Sequence, residues 1–89
     1  MYTINDFNEN DFVMVDGQYA DIIEVDPQDD SLWIRYLNNQ SPGSNTTWVY
    51  ITYPLLYKVT SNEQIEHCKQ LIIEYNKSIL EQGLISVKK

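Results

Sequence analysis

The sequence predicts a mainly β, α+β fold: a five-stranded, strongly bent small barrel over residues 11–60, capped by a helix over 61–82. Three observations predict it. Short runs rich in Val, Ile, Thr, Tyr and Trp recur between turn signals through residues 11–60, the pattern of a small barrel or meander. The apolar alternation of one run slips by a residue at Ile22-Ile23, as at a β-bulge, and bulges bend strands enough to close small barrels. After Thr60 the apolar spacing changes to that of a helix.

Residues 1–10 carry Tyr2, Ile4 and Phe7 among polar neighbours and read as an arm that lays Phe7 on the body. Asp11 to Asp16 is the first strand, and Asp16-Gly17 suits the positive φ angles of a tight hairpin turn. In the second strand, Gln18 to Asp26, Ala20 and Ile22 share one face while Ile23 and Val25 share the other. A bulge at Ile22-Ile23 places all four inside and leaves Tyr19, Asp21, Glu24 and Asp26 outside. Pro27-Gln28-Asp29-Asp30 is a turn by composition.

Ser31 to Leu37 forms the third strand, with Leu32, Ile34 and Tyr36 on one face and Trp33 and Arg35 on the other. Asn38 to Asn45, with Pro42-Gly43, is the longest polar loop. Thr46 to Tyr53 is the fourth strand, and Leu55 to Thr60 the fifth after Pro54 interrupts the run. Ser61 and Gln64 form a capping box, and Glu63 and Glu66 suit the first helical turn. Ile65, Cys68, Ile72, Tyr75 and Ile79, widened by Leu71 and Leu80, make an apolar stripe, and Gly83 is the expected stop. The chain thus divides into an arm (1–10), a barrel (11–60) and a helix with its tail (61–89), a single domain with a modest core.

In their order, DFVMVDG, QYADIIEVD, SLWIRYL and TTWVYITYPLLYKV resemble the small Src-homology-3-like barrels, the group that includes Tudor domains and KOW-type modules. The resemblance covers somewhat over half of the chain. It implies a five-stranded bent barrel whose loops and exposed aromatics bind peptides, modified side chains or nucleic acid. KOW-type modules touch nucleic acid through basic loops, whereas the loops here are acidic.

Charge narrows the partner. Residues 1–34 hold nine carboxylates (Asp6, Glu9, Asp11, Asp16, Asp21, Glu24, Asp26, Asp29 and Asp30) and no Lys or Arg. Residues 35–89 hold six bases against four acids, about +2. A one-signed anionic region repels phosphate backbones and attracts basic surfaces, so a basic protein partner is expected and direct nucleic-acid binding is not. The net charge of −7 also disfavours anionic membrane surfaces. The single Cys, an N-terminus without a basic start and apolar run, and the lack of a roughly 20-residue apolar stretch give a cytoplasmic expectation.

No catalytic set, cofactor or metal site is expected. His67 and Cys68 are adjacent, so on a helix they point about 100° apart and do not form a nucleophile–base pair. Asp26, Asp29, Asp30 and Ser31 are oxygen-rich, but the sixth and twelfth places counted from Asp26 hold Ser31 and Leu37 where a calcium loop needs Gly and Glu. The expected function is a non-enzymatic protein-binding module using Asp16, Asp21, Glu24, Asp26, Asp29 and Asp30 against a basic partner. Two alternatives stand beside it. One is an inhibitor whose carboxylates mimic a nucleic acid's phosphates and block a DNA- or RNA-handling enzyme. The other is an aromatic cage of Tyr19, Trp33, Trp48, Tyr50 and Tyr53 that holds a cationic side chain. The helix stripe and any unpaired barrel edge each offer a homodimer interface.

Overall fold

The computed structural model describes residues 2–37 and 45–87. After a short 3-10 turn (Ile4–Asp6), five strands follow: β1 (Phe12–Val15), β2 (Gln18–Asp26), β3 (Ser31–Tyr36), β4 (Thr46–Tyr50) and β5 (Leu56–Lys58). A long helix, α1 (Asn62–Val87), ends the chain. The strands form one antiparallel sheet in the order β4-β3-β2-β1-β5, curled into a half-barrel. Because β4 and β5 are its two edges, the seam between them is not closed by strand pairing.

The β1–β2 hairpin turns on Asp16 and Gly17, with φ of 54° and 78°. Positive φ at both central residues matches the right-handed twist of the flanking strands. The concave side of the sheet holds the core, where Val13, Val15, Ala20, Ile22, Leu32, Ile34 and Leu56 are buried and Phe7 of the arm covers them. Tyr2 meets Phe7 edge to face with ring centroids 5.1 Å apart. This edge-on geometry suits the ring quadrupoles.

The bulge lies where the alternation slips, for the β2–β3 pairing skips from Ile22 to Glu24. Ile23 is itself the extra residue, without a partner on β3. Its side chain is therefore 39% exposed instead of inside, while Ala20 and Ile22 are buried and Val25 partly so. Asp21 departs from expectation in the opposite sense. It faces away from the core as the alternation requires, yet it is only 7% exposed, because its face is shared with Arg35 and α1.

β4 ends at Tyr50, short of Tyr53, because the chain turns there and the Tyr53 N–H donates to the Tyr50 carbonyl at 2.9 Å. α1 begins at Asn62 and continues through Gly83 to Val87. A glycine inside a helix costs about 1 kcal/mol relative to alanine, which weakens a helix without forbidding it. The polar loop expected over 38–44 and the side chains of Ile79 and Leu80 lie outside the described residues. Among its described side chains, His67, Cys68 and Tyr75 of α1 meet the outer face of the sheet. Cys68 is fully buried, the His67 ring stands 5.2 Å from Tyr19, and the Arg35 guanidinium sits 5.9 Å from the centre of the Tyr75 ring.

Candidate functional site

Strand pairing sorts the outer face into three rows. Asp21 stands opposite Arg35, and Arg35 opposite Thr46. Glu24 stands opposite Trp33, and Trp33 opposite Trp48. Asp26 stands opposite Ser31, and Ser31 opposite Tyr50. Successive strand residues alternate faces, so Asp21 and Glu24, three apart, share a face only because Ile23 is extra. The bulge thereby aligns a column of acids on β2, while β4 carries a column of aromatics.

The first row is closed. Arg35 Nε donates to Asp21 Oδ1 at 3.1 Å, and Nη2 donates to Oδ2 at 2.8 Å. Asp21 is thus neutralised in place, and the acidic surface expected along β2 begins at Glu24. The Tyr19 ring stands 5.2 Å from that of His67, on the opposite side of the Asp21 row from Trp33, Trp48 and Tyr50.

The second and third rows are open. Trp48 is 48% exposed and Tyr50 63%, while Trp33 is half-buried and holds the Trp48 ring at 5.1 Å with a 47° tilt. The β2–β3 turn brings Asp29 beside them, so that Asp26, Asp29, Ser31, Trp48 and Tyr50 line a hollow of about 340 Å³. Asp26 Oδ1 accepts the Gln28 N–H at 3.0 Å, which orders the turn. Asp30, at φ 52°, is exposed and gives its carbonyl to the Ile51 N–H. Among the described residues the ion pairs join Arg35 to Asp21, Lys58 to Asp11 and Lys69 to Glu66, so no base neutralises Glu24, Asp26 or Asp29.

Along the free edge of β4 runs a second hollow of about 450 Å³, between the strand and the turn that leads to β5. Asp16, Tyr36, Trp48, Tyr50, Tyr53 and Pro54 line it. The Tyr53 hydroxyl donates to the Asp16 carboxylate, and this bond is the main reason its pKa is raised above 10.0. Tyr36 is also raised, by burial first and by the Asp16 charge second. Asp16 is therefore near the aromatics, while Asp6 and Asp11 lie elsewhere, each touching Lys58.

Reading the sequence misses Tyr36 and Pro54 as lining residues. The apolar face shared by Leu32, Ile34 and Tyr36 directs Tyr36 inward, but at the end of β3 an inward residue emerges at the open seam. Only the three-dimensional position of the seam reveals it.

Burial pushes the Cys68 thiol up to about 11, with the Asp21 charge adding to the effect. A thiol held protonated is a poor nucleophile and a poor metal ligand. Among the described residues no three His, Cys, Asp or Glu side chains gather where they could hold a metal, and no helix is long and apolar enough to cross a membrane. Compared with protein-family models, with curated proteins and with solved structures, the chain matches none.

Proposed function

We propose that this protein is a non-enzymatic binding module that grips a basic segment of a partner protein at the strip where Glu24, Asp26 and Asp29 adjoin Trp48 and Tyr50. The observation carrying this reading is the juxtaposition of unneutralised carboxylates with exposed aromatic rings across adjacent strands. A Lys or Arg side chain laid on Trp48 or Tyr50 gains cation–π attraction. Its charge also meets carboxylates whose attraction is otherwise spent on water. The strip unites the acidic-surface and aromatic readings and moves their centre from Asp21 to β4. The strand order β4-β3-β2-β1-β5, with a short turn joining β4 to β5, also fits a Src-homology-3-like barrel.

Charge reversal tests it. Affinity purification from the native host is expected to recover a basic protein with the wild-type chain and to lose it with Glu24→Lys/Asp26→Lys/Asp29→Lys. The control Glu9→Lys/Glu63→Lys/Glu74→Lys changes net charge equally at exposed positions outside the rows and is expected to retain the partner. Capture should weaken as salt rises, since screening acts over about 8 to 10 Å near physiological ionic strength. Equal capture by both variants would overturn the reading.

A further inference from the structure

The two edges of the sheet are treated differently by the chain. On β5 the pairing with β1 leaves the N–H groups of Leu56 and Lys58 directed away from the sheet. Both are satisfied, Lys58 N–H by the Tyr2 hydroxyl at 2.9 Å and Leu56 N–H by the Tyr53 carbonyl at 3.2 Å. The arm and the turn thus blunt that edge.

On β4 the bonds at its two ends, Tyr36 N–H to Asn45 O and Ile51 N–H to Asp30 O, fix the alternation between them. Thr47 and Val49 pair with β3, and the N–H groups of Thr46, Trp48 and Tyr50 point to the free edge. There the Tyr50 carbonyl already accepts from the Tyr53 N–H at 2.9 Å and the Trp48 carbonyl from the Thr47 hydroxyl at 3.5 Å. No described strand pairs with that edge. The strand reads TTWVY, with none of the charges or prolines that usually guard an exposed edge.

We infer that β4 is a docking edge onto which a basic, extended segment of the partner adds as a sixth strand. This inference rests on the binding strip proposed above and specifies its geometry. Strand addition draws affinity from main-chain hydrogen bonds and specificity from alternate side chains. Here one set of side chains falls beside Trp48, Tyr50 and Asp29, and the other enters the hollow lined by Asp16, Tyr36 and Tyr53. Both sides carry a carboxylate and aromatic rings, so the favoured segment is cationic on both faces. A second copy of this chain is the poorer occupant, because β4–β4 pairing would bring two acidic strips together at a net charge of −7 each.

The test uses the full chain and a library of ten-residue peptides in which adjacent pairs of Lys or Arg, separated by pairs of Val or Thr, put cations on both faces of an extended strand. Peptide binding is expected to slow amide exchange at Thr46, Trp48 and Tyr50 by tenfold or more. N-methylation of one alternate set of peptide amides should weaken binding at least tenfold, and of the other set less than twofold. Equal effects of the two methylation patterns, or unchanged exchange at those amides, would overturn strand addition while leaving the acid–aromatic strip standing. Failure of every peptide to bind at low salt would overturn both. A dimer in sedimentation runs without peptide, abolished by Thr46→Pro, would overturn it in favour of a second copy.

Discussion

Arg35 grips Asp21 with two parallel hydrogen bonds, 3.1 Å and 2.8 Å long, from the facing position on the next strand. The pair is asymmetric. The Asp21 side chain is 10% exposed and that of Arg35 32%, so the guanidinium can reach water without its partner and the carboxylate cannot. Arg35 also extends over Tyr75, linking the sheet to α1.

Removing each partner should therefore cost different amounts. Arg35→Ala strands a nearly buried carboxylate and is expected to destabilise the fold by about 3 kcal/mol, in the range for breaking a buried pair. Asp21→Ala leaves an arginine free to turn outward and should cost about 1 kcal/mol. Urea denaturation curves of the two variants check this, and equal midpoints would contradict it.

The bulge makes an equally sharp prediction. Ile23 is exposed and faces no partner, so Ile23→Thr should change stability by less than about 1 kcal/mol. Deleting Ile23 regularises the ladder and leaves Glu24 outward and Val25 inward, because Ile22 and Glu24 then alternate directly against Ile34 and Trp33. What is lost is the bend that the bulge gives β2, so the deletion variant is expected to fold and to cost about 1 to 3 kcal/mol. Thermal denaturation followed by circular dichroism separates the two outcomes.

Local chemistry explains which features the sequence reveals. The Asp16-Gly17 turn, the bulge and the helix are each determined by neighbouring residues, through φ preference, alternation and period. The burial of Asp21 is not, because it depends on Arg35, fourteen residues away, and on α1 crossing that face. Likewise Trp33 and Trp48 are readable as candidate ring partners on neighbouring strands, whereas the grouping of Asp16 with Tyr36 and Tyr53 requires knowing that β4 and β5 leave a seam. The acidic run of the first 34 residues is plain in the sequence, yet the fold scatters it among a buried pair, the Lys58 contacts and the β4 strip.

Gly17 offers a clean measure of backbone strain. It sits at φ 78°, and an added Cβ would meet nothing within 4 Å. Gly17→Ala is therefore expected to cost about 1 kcal/mol from conformation alone, without a steric clash. Moderate destabilisation in urea with an unchanged spectrum is the expected result, and a loss of several kcal/mol would mean that the turn contacts more than it does.

Cys68 ties α1 to pH. Its thiol is fully buried beside the Asp21 charge and titrates at about 11 instead of the ordinary 9.0. At pH 8 the thiolate fraction is then about a hundredfold smaller than for an ordinary thiol, and burial slows reaction further. A disulfide reagent should leave native Cys68 unmodified at pH 8 and label it promptly once urea unfolds the chain. The same shift sets a stability trend. Because the folded state holds the proton more tightly than the unfolded state, this contribution is complete below pH 9.0 and is lost as pH rises toward about 11. Tyr36 and Tyr53, also raised, add to the decline above pH 10.0. Cys68→Ala should cost about 1 kcal/mol at neutral pH for the missing sulfur and delay the alkaline decline until the tyrosines titrate. Urea midpoints measured from pH 7 to 11 check both signs, and a wild-type midpoint that rises between pH 9 and 11 would refute the assignment.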